Sequence, residues 1–282
     1  MTQLASHEQA LSEQIESMLV ERNLRGMKGL QTQLNAGYCL RAAKVMRDIK
    51  GTIFIGTGFP VEDTFETDGP VGALILYRAL EILGANPVLV CGTPMATAFQ
   101  QDYRTCVISV GKKEMGLVEA KRALAHYKPE VIISIEHPGL AENGCYHNML
   151  GEDISSRAAC FDFFMDEANC PTIAIGDGGN EIGMGNVKAF LVELNIIPAV
   201  TECDELIISD VSNWGVYGIL AFLSIWSKQD LLNQTCPEQI LKYISNLGSV
   251  DGVTRKNELT EDSLPASEGI ALIARIRALI GY

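Results

Sequence analysis

The chain has 282 residues, of which 47% are hydrophobic and 20% are charged, a balance typical of a globular protein. It carries 22 Lys and Arg against 35 Asp and Glu, and the net charge of −13 argues against nucleic acid or an anionic membrane as the main partner. A chain of this length forms one large α/β domain or two small ones, and its acidity favours cations and small metabolites as ligands.

The first twenty residues are not typical of a secretory signal or a transit peptide. They include Glu8, Glu13 and Glu16, whereas a secretory signal has a basic start and an apolar core, and a transit peptide avoids acids. The eight cysteines form no C-x-x-C pair and no zinc-ligand spacing, so we predict free thiols and a cytoplasmic or other reducing location. The apolar run 216–226 is too short to cross a bilayer.

Apolar runs typical of strands alternate with helical patterns along most of the chain. Two helical patterns come first, at residues 8–23 and 29–49. Strands are predicted at 52–55, 88–91, 106–110, 131–135, 172–175 and 205–208. Further helices are predicted at 70–83, 113–127, 155–168, 181–194, 214–227 and 266–279. Continuous apolar strands separated by helices indicate a parallel sheet that is covered on both faces.

We therefore predict an α/β protein with a Rossmann-like three-layer fold, a mostly parallel sheet and helical extensions at both ends. No repeat or low-complexity linker divides the chain, so one domain over residues 1–282 is the simplest interpretation. Within it, N-terminal helices occupy 1–50 and a C-terminal helix lies in 255–282. The apolar helix 214–227 fits either the core or an interface between copies, which leaves a homo-oligomer as an alternative.

Acids, amides and glycines follow four of the predicted strands. Ligands of an open parallel sheet bind beyond the carboxyl ends of its strands, so these residues are expected at one edge. The polar segments are Gly56-Thr57-Gly58 with Glu66 and Asp68, then Glu136-His137, the block from Gly176 to Gly185, and Asp210 with Asn213. The predicted strand starts carry ordinary residues, so the asymmetry indicates a site in which the 176–185 block faces Asp68, Glu136 and Asp210.

The block Gly176-Asp177-Gly178-Gly179-Asn180-Glu181-Ile182-Gly183-Met184-Gly185 is the most informative segment. Its glycines permit positive φ angles and let a ligand approach the backbone. Carboxylates beside such a turn are natural ligands for a hard cation or a substrate ammonium group. The block lacks the third glycine of a dinucleotide fingerprint, and Asp177 would repel a pyrophosphate. Gly56-Thr57-Gly58 could still present amides to a phosphate or a carboxylate.

Several of these polar residues also have a structural interpretation. Asp68 and Asn213 occupy positions typical of helix caps, and Glu181 suits the first turn of a helix. Asp177 has the weakest interpretation of this kind, because a turn between glycines needs no acid. Glu136 ends a buried strand, where an unpaired carboxylate would cost several kcal/mol, so it needs a partner, a metal or a substrate.

Two of the four histidines, His137 and His147, lie in the predicted loop after the strand at 131–135. A single histidine is more often a structural residue than a catalyst. Two in one such loop are candidates for acid–base chemistry near neutral pH.

At these residues the chain resembles the D-glutamate cyclase C-terminal domain family. The resemblance extends from about residue 51 to residue 254, and the block from Gly176 to Gly185 is specific. It implies a lyase that converts the acidic amino acid D-glutamate into 5-oxo-D-proline with loss of water, helped by a divalent metal. The other matching stretches are Gly56-Thr57-Gly58-Phe59, Glu66-Thr67-Asp68-Gly69-Pro70, Glu136-His137-Pro138-Gly139, Tyr146-His147-Asn148-Met149, Ser212-Asn213-Trp214-Gly215 and Val250-Asp251-Gly252-Val253-Thr254.

The polar strand ends suggest individual roles for such a reaction. The candidate ligands of Mn²⁺ or Mg²⁺, with Ca²⁺ as a further option, are Glu66, Asp68, Asp177 and Glu181, and then Glu136. A carboxylate that binds no metal, such as Glu136 or Asp177, or else His137, takes the ammonium proton, and His147 protonates the leaving oxygen. The candidate substrate-binding residues are Gly56, Thr57, Gly58, Gly178, Gly179, Asn180 and Asn213.

Two other functions fit the same residues. In a metal-dependent phosphohydrolase the carboxylates would bind Mg²⁺ and the Gly56 loop would bind phosphate. In a metal- or amino-acid-binding domain without chemistry, the site would bind its ligand and form no product. The two histidines beside Glu136 argue mildly against the second alternative.

Overall fold

A computed structural model describes residues 2–234 and 236–282, with side chains from Ser6 onward. The strands are β1 Thr52–Thr57, β2 Pro60–Val61, β3 Thr64–Phe65, β4 Asn86–Cys91, β5 Thr105–Val107, β6 Val131–Ile135, β7 Thr172–Gly176, β8 Glu205–Ile208, β9 Thr260–Glu261 and β10 Leu264–Pro265. The α-helices are α1 Thr2–Leu19, α2 Met27–Leu30, α3 Tyr38–Met46, α4 Pro70–Ile82, α5 Met95–Phe99, α6 Lys113–Tyr127, α7 Asp162–Asp166, α8 Ser212–Ser227, α9 Leu231–Gln234, α10 Pro237–Asn246 and α11 Ala266–Ile280. Two 3₁₀ helices span Gln31–Gln33 and Met184–Glu193.

The central sheet of the described residues has six parallel strands in the order β5-β4-β1-β6-β7-β8. Ile55 of β1 pairs with Leu89 of β4 on one side and with Ile133 of β6 on the other. This is the strand order of doubly wound folds, whose ligand crevice lies where the order reverses, here between β1 and β6. The predicted α/β fold with a parallel sheet is confirmed.

Helices cover both faces of the sheet. On one face, Phe54 of β1 packs edge-on against Tyr127 of α6 at 5.3 Å and against Phe164 of α7 at 6.0 Å between ring centroids. On the other face, Gly215 of α8 lies directly over Ile175 of β7, where a larger side chain would collide. Buried on both faces, the strands read as continuous apolar runs, which explains why the sequence pattern identified them.

Helix α8 lies in the core rather than at an exposed surface. Residues 212–224 are all buried, and α8 packs against α1, α3, α4 and α11. An apolar helix that is surrounded in this way needs no second copy to cover it. In the described residues, no helix is long and apolar enough to span a membrane. All eight cysteines are free thiols, and the cytoplasmic location stays a prediction.

The helix predicted at 29–49 is wrong as one element. The structure has α2, a short 3₁₀ helix and α3 there, separated by a break at residues 34–37. Gly37 adopts φ +93°, and its N–H donates to the buried carboxylate of Glu16, which also accepts the Cys39 N–H. A distant carboxylate therefore caps α3, and local periodicity does not report such a partner.

Three other predicted elements are shorter or of another kind. The helix predicted at 155–168 is reduced to α7, and the strand predicted at 106–110 ends at Val107. The helix predicted at 181–194 is the 3₁₀ helix Met184–Glu193. Gly183 opens it at φ +93° and lies so close to Ala174 that a side chain there would collide. Close packing of this turn on β7 selects the tighter helix.

Two small hairpins are absent from the sequence prediction. Strands β2 and β3 pair between β1 and α4, and β9 pairs with β10 within the polar segment predicted as a loop before the last helix. Strands of two residues carry too few side chains to show an alternating pattern. Both hairpins matter for function, because they line the cavity described next.

Candidate functional site

Three buried carboxylates meet at the carboxyl ends of the central strands. Asp68, Glu136 and Asp177, hereafter the acid triad, each place one oxygen within 4.8 Å of the other two. Glu136 follows β6 directly and Asp177 follows β7, while Asp68 lies between the β2–β3 hairpin and α4. The triad thus forms at the switch point of the sheet, where the predicted strand ends were expected to converge.

Asp68 is fixed by the start of the core helix α8. Its Oδ2 accepts the Ser212 N–H at 2.8 Å, and its Oδ1 accepts the N–H groups of Asn213 at 2.8 Å and Gly69 at 2.9 Å. Asn213 in turn accepts the Gly72 N–H at 2.6 Å, near the start of α4. Asp68 therefore does act as a helix cap, but for α8 rather than for the helix that follows it.

Glu136 has a backbone conformation that few side chains adopt. Its φ is +44°, in the left-handed region, directly at the end of a buried strand. Its Oε2 accepts the Ser212 hydroxyl at 2.6 Å, and Gly69 leaves the room for its Cβ. A non-glycine residue in this region costs roughly 1–3 kcal/mol and tends to mark a functional site.

Arg25 joins the acid triad to the C-terminal part of the chain. Its Nη1 lies 2.5 Å from Oδ2 of Asp177 and 2.7 Å from Oδ2 of Asp262, and all three side chains are largely buried. The contact with Asp177 is ionic rather than directional, because no donor among the described residues is aligned with that oxygen. Arg25 precedes α2 and Asp262 lies in the turn of the β9–β10 hairpin, and no sequence pattern indicates that they meet.

The acids shift one another's protonation. Burial, reinforced by the neighbouring carboxylates, raises the pKa of Glu66, Asp68 and Glu136 well above the ordinary values. Burial likewise raises the pKa of Asp177 well above its usual range, although Arg25 opposes the shift. For Asp262, burial acts to raise the pKa, but Arg25 outweighs it and the pKa is lowered. Arg25 itself stays charged, because Asp177 and Asp262 overcome the effect of its burial on its pKa.

A cavity of about 490 Å³ opens above these groups. Its acidic floor consists of Glu66, Glu136, Asp177 and Asp262, which are all buried residues. Its walls and mouth include Leu24, Phe59, Met149, Leu150, Val253, Arg157 and Arg255, together with Arg25 and Asn180. The volume lies in the range of small-molecule sites. Glu66 is packed against the backbone of Gly252, where any side chain would collide with its carboxylate.

Glu181 stabilises its own turn, which changes the interpretation of the glycine block. Its Oε1 accepts the Gly178 N–H at 2.9 Å and its Oε2 accepts the Gly179 N–H at 2.7 Å. The prediction that these two amides bind substrate disagrees with the structure, because both donors already have an acceptor. Both carboxylate oxygens of Glu181 face the turn that contains Glu181. Glu136, rather than Glu181, lies beside Asp68 and Asp177.

The two histidines do not line the cavity in the described structure. His137 is fully buried; its Nδ1 lies 3.1 Å from the Pro138 carbonyl, and burial lowers its pKa. His147 contacts Asn143 and the Gly151 carbonyl through its ring, and its own carbonyl accepts the Asn180 amide at 2.9 Å. Direct proton transfer to a ligand is therefore not supported for either ring. Both histidines belong to the loop after β6, and the His147 carbonyl holds Asn180 of the loop after β7.

The remaining residues that were predicted to bind substrate or to face the acid triad do not line the main cavity. Gly56 lies under the Phe161 ring and Gly58 lines a smaller neighbouring cavity, so neither lines the main cavity. Thr57 is buried beside Gly69, with a hydroxyl that lacks a hydrogen-bond partner among the described residues. Asn213 supports the helix starts, as described above. Asp210 accepts the N–H groups of Arg22 and Leu24, so it holds the segment before Arg25 and does not face the triad.

The geometry fits a hard cation. Three carboxylate oxygens converge from separate elements, and oxygen-rich carboxylate sets are those that Mg²⁺, Mn²⁺ and Ca²⁺ prefer. Oδ2 of Asp177 is buried without an aligned hydrogen-bond donor among the described groups, and Nη1 of Arg25 supplies the positive charge beside it at 2.5 Å. The sequence had identified every member of the triad, but it missed Arg25, Asp262 and Arg157, which no strand-end pattern could reveal.

Comparison with known proteins gives a family match over nearly the whole chain. Residues 15–277 match the family model described as D-glutamate cyclase-like, C-terminal. The chain is 30% identical over 201 residues to the mitochondrial D-glutamate cyclase of Homo sapiens, with 62% of this chain and 33% of that protein covered. It thus spans about a third of that protein's length. A crystal structure of an exopolyphosphatase-related protein from Bacteroides fragilis covers 88% of this chain and 61% of its own, at 10% identity and a TM-score of 0.39, which is too low to carry an argument.

Replacing Arg25 tests its role as the buried counter-charge. Arg25→Gln leaves Asp177 and Asp262 without their cation, so we expect a loss of about 3–5 kcal/mol in the free energy of unfolding near neutral pH. Arg22→Gln is the matched control, because Arg22 forms a half-exposed pair with Glu268, and the expected loss is about 1 kcal/mol or less. Urea unfolding of both variants measures the difference. Equal losses would contradict a special role for Arg25.

The metal-free protein should become less stable as the pH rises. Glu66, Asp68, Glu136 and Asp177 have raised folded pKa values, as does Glu261 at about 7, so the folded state binds more protons than the unfolded state above about pH 4.5. Each such group lowers the free energy of unfolding by up to about 1.4 kcal/mol per pH unit until its folded pKa is passed.

Urea unfolding in chelator, at about pH 5.5 and about pH 7.5, checks this sign. The lowered pKa of His137 acts in the opposite direction, but it is one group against five carboxyls. The lowered pKa of Asp262 matters only in more acidic solution. A free energy of unfolding that increases toward the higher pH would show that the carboxyls keep ordinary pKa values in the folded protein.

Proposed function

The chain belongs to the D-glutamate cyclase-like, C-terminal family, and from that premise we propose that it converts D-glutamate into 5-oxo-D-proline and water. The observation that supports this proposal most is the acidic floor at the closed end of a cavity of about 490 Å³. Such a floor attracts a divalent cation and the ammonium group of an amino acid, and it repels an anion that arrives without a cation. A small zwitterion therefore suits the cavity better than a bare phosphate ester.

The acid triad is the proposed metal site. Asp68, Glu136 and Asp177 would hold Mn²⁺ or Mg²⁺, and Glu181 and Glu66 are left for other roles. When bound, such an ion polarises a carboxylate as a Lewis acid. The support for this assignment is the convergence of three buried carboxylate oxygens. Asp68 and Glu136 accept hydrogen bonds from Ser212, so these two carboxylates are already in place before a cation binds.

Ring closure forms one bond and moves two protons. The α-nitrogen attacks the γ-carboxyl carbon, one carboxyl oxygen leaves as water, and the two protons that this oxygen needs come from the ammonium nitrogen. The overall charge does not change, so the protein only has to accept a proton and return it. The group that does so must have a pKa between those of an ordinary carboxylate and an ammonium.

Glu66 is the proposed proton carrier. It lines the cavity floor, it lies outside the triad, and burial raises its pKa well above that of an ordinary glutamate. A carboxylate with a raised pKa accepts an ammonium proton with a smaller penalty, and it then donates the proton to the leaving oxygen. Gly252 keeps the Glu66 carboxylate in place, because its missing side chain is the space that the carboxylate fills.

The cavity also favours the folded conformation of the substrate. In extended D-glutamate the amine and the γ-carboxyl are too far apart to react. An enclosed site that attracts both groups to one floor brings them together, and holding reactants in contact can supply several kcal/mol of the barrier. Phe59, Leu150 and Val253 form an apolar part of the cavity lining beside these groups.

Product analysis tests the proposed reaction. The protein is incubated with D- or L-glutamate and Mn²⁺ or Mg²⁺, and 5-oxoproline is measured by chiral chromatography and mass spectrometry. We expect 5-oxo-D-proline from D-glutamate and at least tenfold less product from the L-enantiomer, about 1.4 kcal/mol of discrimination. Phosphate release from a phosphate ester without oxoproline formation would support the phosphohydrolase. Tight binding of glutamate without any product would support a binding domain.

Two variants separate metal binding from proton transfer. Asp177→Asn should abolish the rise in melting temperature that Mn²⁺ or Mg²⁺ gives the unsubstituted protein, since a bound ion stabilises only while its ligands remain. Glu66→Gln should retain that rise and lower kcat by about 100-fold or more. Glu16→Gln, a buried carboxyl that caps α3 far from the cavity, is the control and should retain both properties. A normal kcat in Glu66→Gln would remove Glu66 from the mechanism.

A further inference from the structure

Arg157 is the cavity-lining arginine that the described residues leave without a carboxylate partner. Its Nη1 donates to the Glu62 carbonyl at 3.0 Å, and no carboxylate of the described chain lies within 4.0 Å of its guanidinium. The other two arginines of the cavity differ, because Arg25 is held by two aspartates and Arg255 lies 3.9 Å from both Glu62 and Glu152. In a chain of net charge −13, an arginine that faces a cavity without a partner is available to a ligand.

Arg157 lies at the mouth of the cavity, opposite in charge to the floor. It is half-buried and is tied to the exposed turn of the β2–β3 hairpin through Glu62, whereas the floor acids are buried. It also lines the neighbouring cavity of about 140 Å³. The lining outside the floor also includes Glu62 and Glu152, which lie beside Arg255, so Arg157 is the cation there without a carboxylate partner among the described residues.

We propose that Arg157 binds the α-carboxylate of the amino-acid substrate, an inference that rests on the function proposed above. In ring closure the amine and the γ-carboxyl must both reach the floor. The α-carboxylate is the one charged group that does not react, and it is left at the side of the cavity where Arg157 stands. A guanidinium pairs with a carboxylate through two parallel hydrogen bonds, which fixes direction as well as charge.

This assignment also accounts for a choice between enantiomers. Once the amine and the side chain are held at the floor, the α-carboxylates of D- and L-glutamate point in different directions. One arginine at a fixed position on the wall can pair with only one of them. Arg157 is therefore a specificity-determining residue, and it takes no part in the proton transfers.

The test compares D-glutamate with 4-aminobutanoate, which is glutamate without its α-carboxylate. Binding of each to the metal-loaded protein is measured by calorimetry, and KM and kcat are measured where product forms. Arg157→Gln should weaken D-glutamate binding and raise its KM by about 10- to 100-fold, the usual effect of losing a charge-assisted pair. Binding of 4-aminobutanoate should stay unchanged, and Arg157→Lys should recover part of the glutamate affinity.

Arg122→Gln is the matched control, since Arg122 is exposed on α6 and lines neither cavity. Unchanged glutamate binding in Arg157→Gln would overturn the proposal, and so would an equal loss for both ligands. If D-glutamate binds without forming oxoproline and Arg157→Gln abolishes that binding, the proposed reaction fails while the role of Arg157 stands. If the protein turns over D-glutamate and Arg157→Gln retains its KM, the reaction stands and Arg157 has no such role. Absence of glutamate binding to the unsubstituted protein would overturn both.

Discussion

A carboxylate that leaves water must recover its solvation from a cation, from hydrogen-bond donors or from a proton. The cavity floor gathers more carboxylates than Arg25 can balance, and the fold meets this demand in three different ways. Backbone N–H groups of Ser212 and Asn213 at the start of α8 satisfy Asp68, and Arg25 satisfies Asp262. Burial raises the pKa of Glu66 and Glu136, which favours their protonated forms. In the metal site proposed above, a divalent cation would take the place of such protons.

This arrangement couples the site to the core of the protein. Ser212 donates its N–H to Asp68 and its hydroxyl to Glu136, so two members of the triad are held by the first turn of a helix that is almost wholly buried. Loops alone would place such side chains less accurately, whereas a packed helix start gives them one position. The positive φ at Glu136 fits the same explanation, because well-packed surroundings can maintain a conformation that an isolated strand end would not adopt.

The residues that were predictable from the sequence are those whose position follows from strand direction. Glu136 and Asp177 directly follow β6 and β7, and parallel strands end at one edge, so their convergence needed no tertiary information. Asp68 reaches the same edge only after the β2–β3 hairpin, which the sequence prediction lacked. Glu181 and the amides of Gly178 and Gly179 were expected to bind ligands, but they bind one another over three residues. Arg25, Asp262 and Arg157 meet the cavity from segments without periodicity. Their positions depend on how short hairpins and turns pack, and single-sequence patterns do not encode that.

Arg25 and Asp262 are 237 residues apart along the chain, yet one guanidinium nitrogen contacts both Asp262 and Asp177. During synthesis the carboxylates of the triad leave the ribosome before Asp262 does. Until the β9–β10 hairpin docks, the cavity floor lacks Asp262, and Asp177 is the acidic partner that Arg25 already has. A partly made chain therefore offers free cations in the cell only an incomplete, exposed version of the site. The finished geometry arises only after the segment that carries Asp262 has been made and has docked against Arg25.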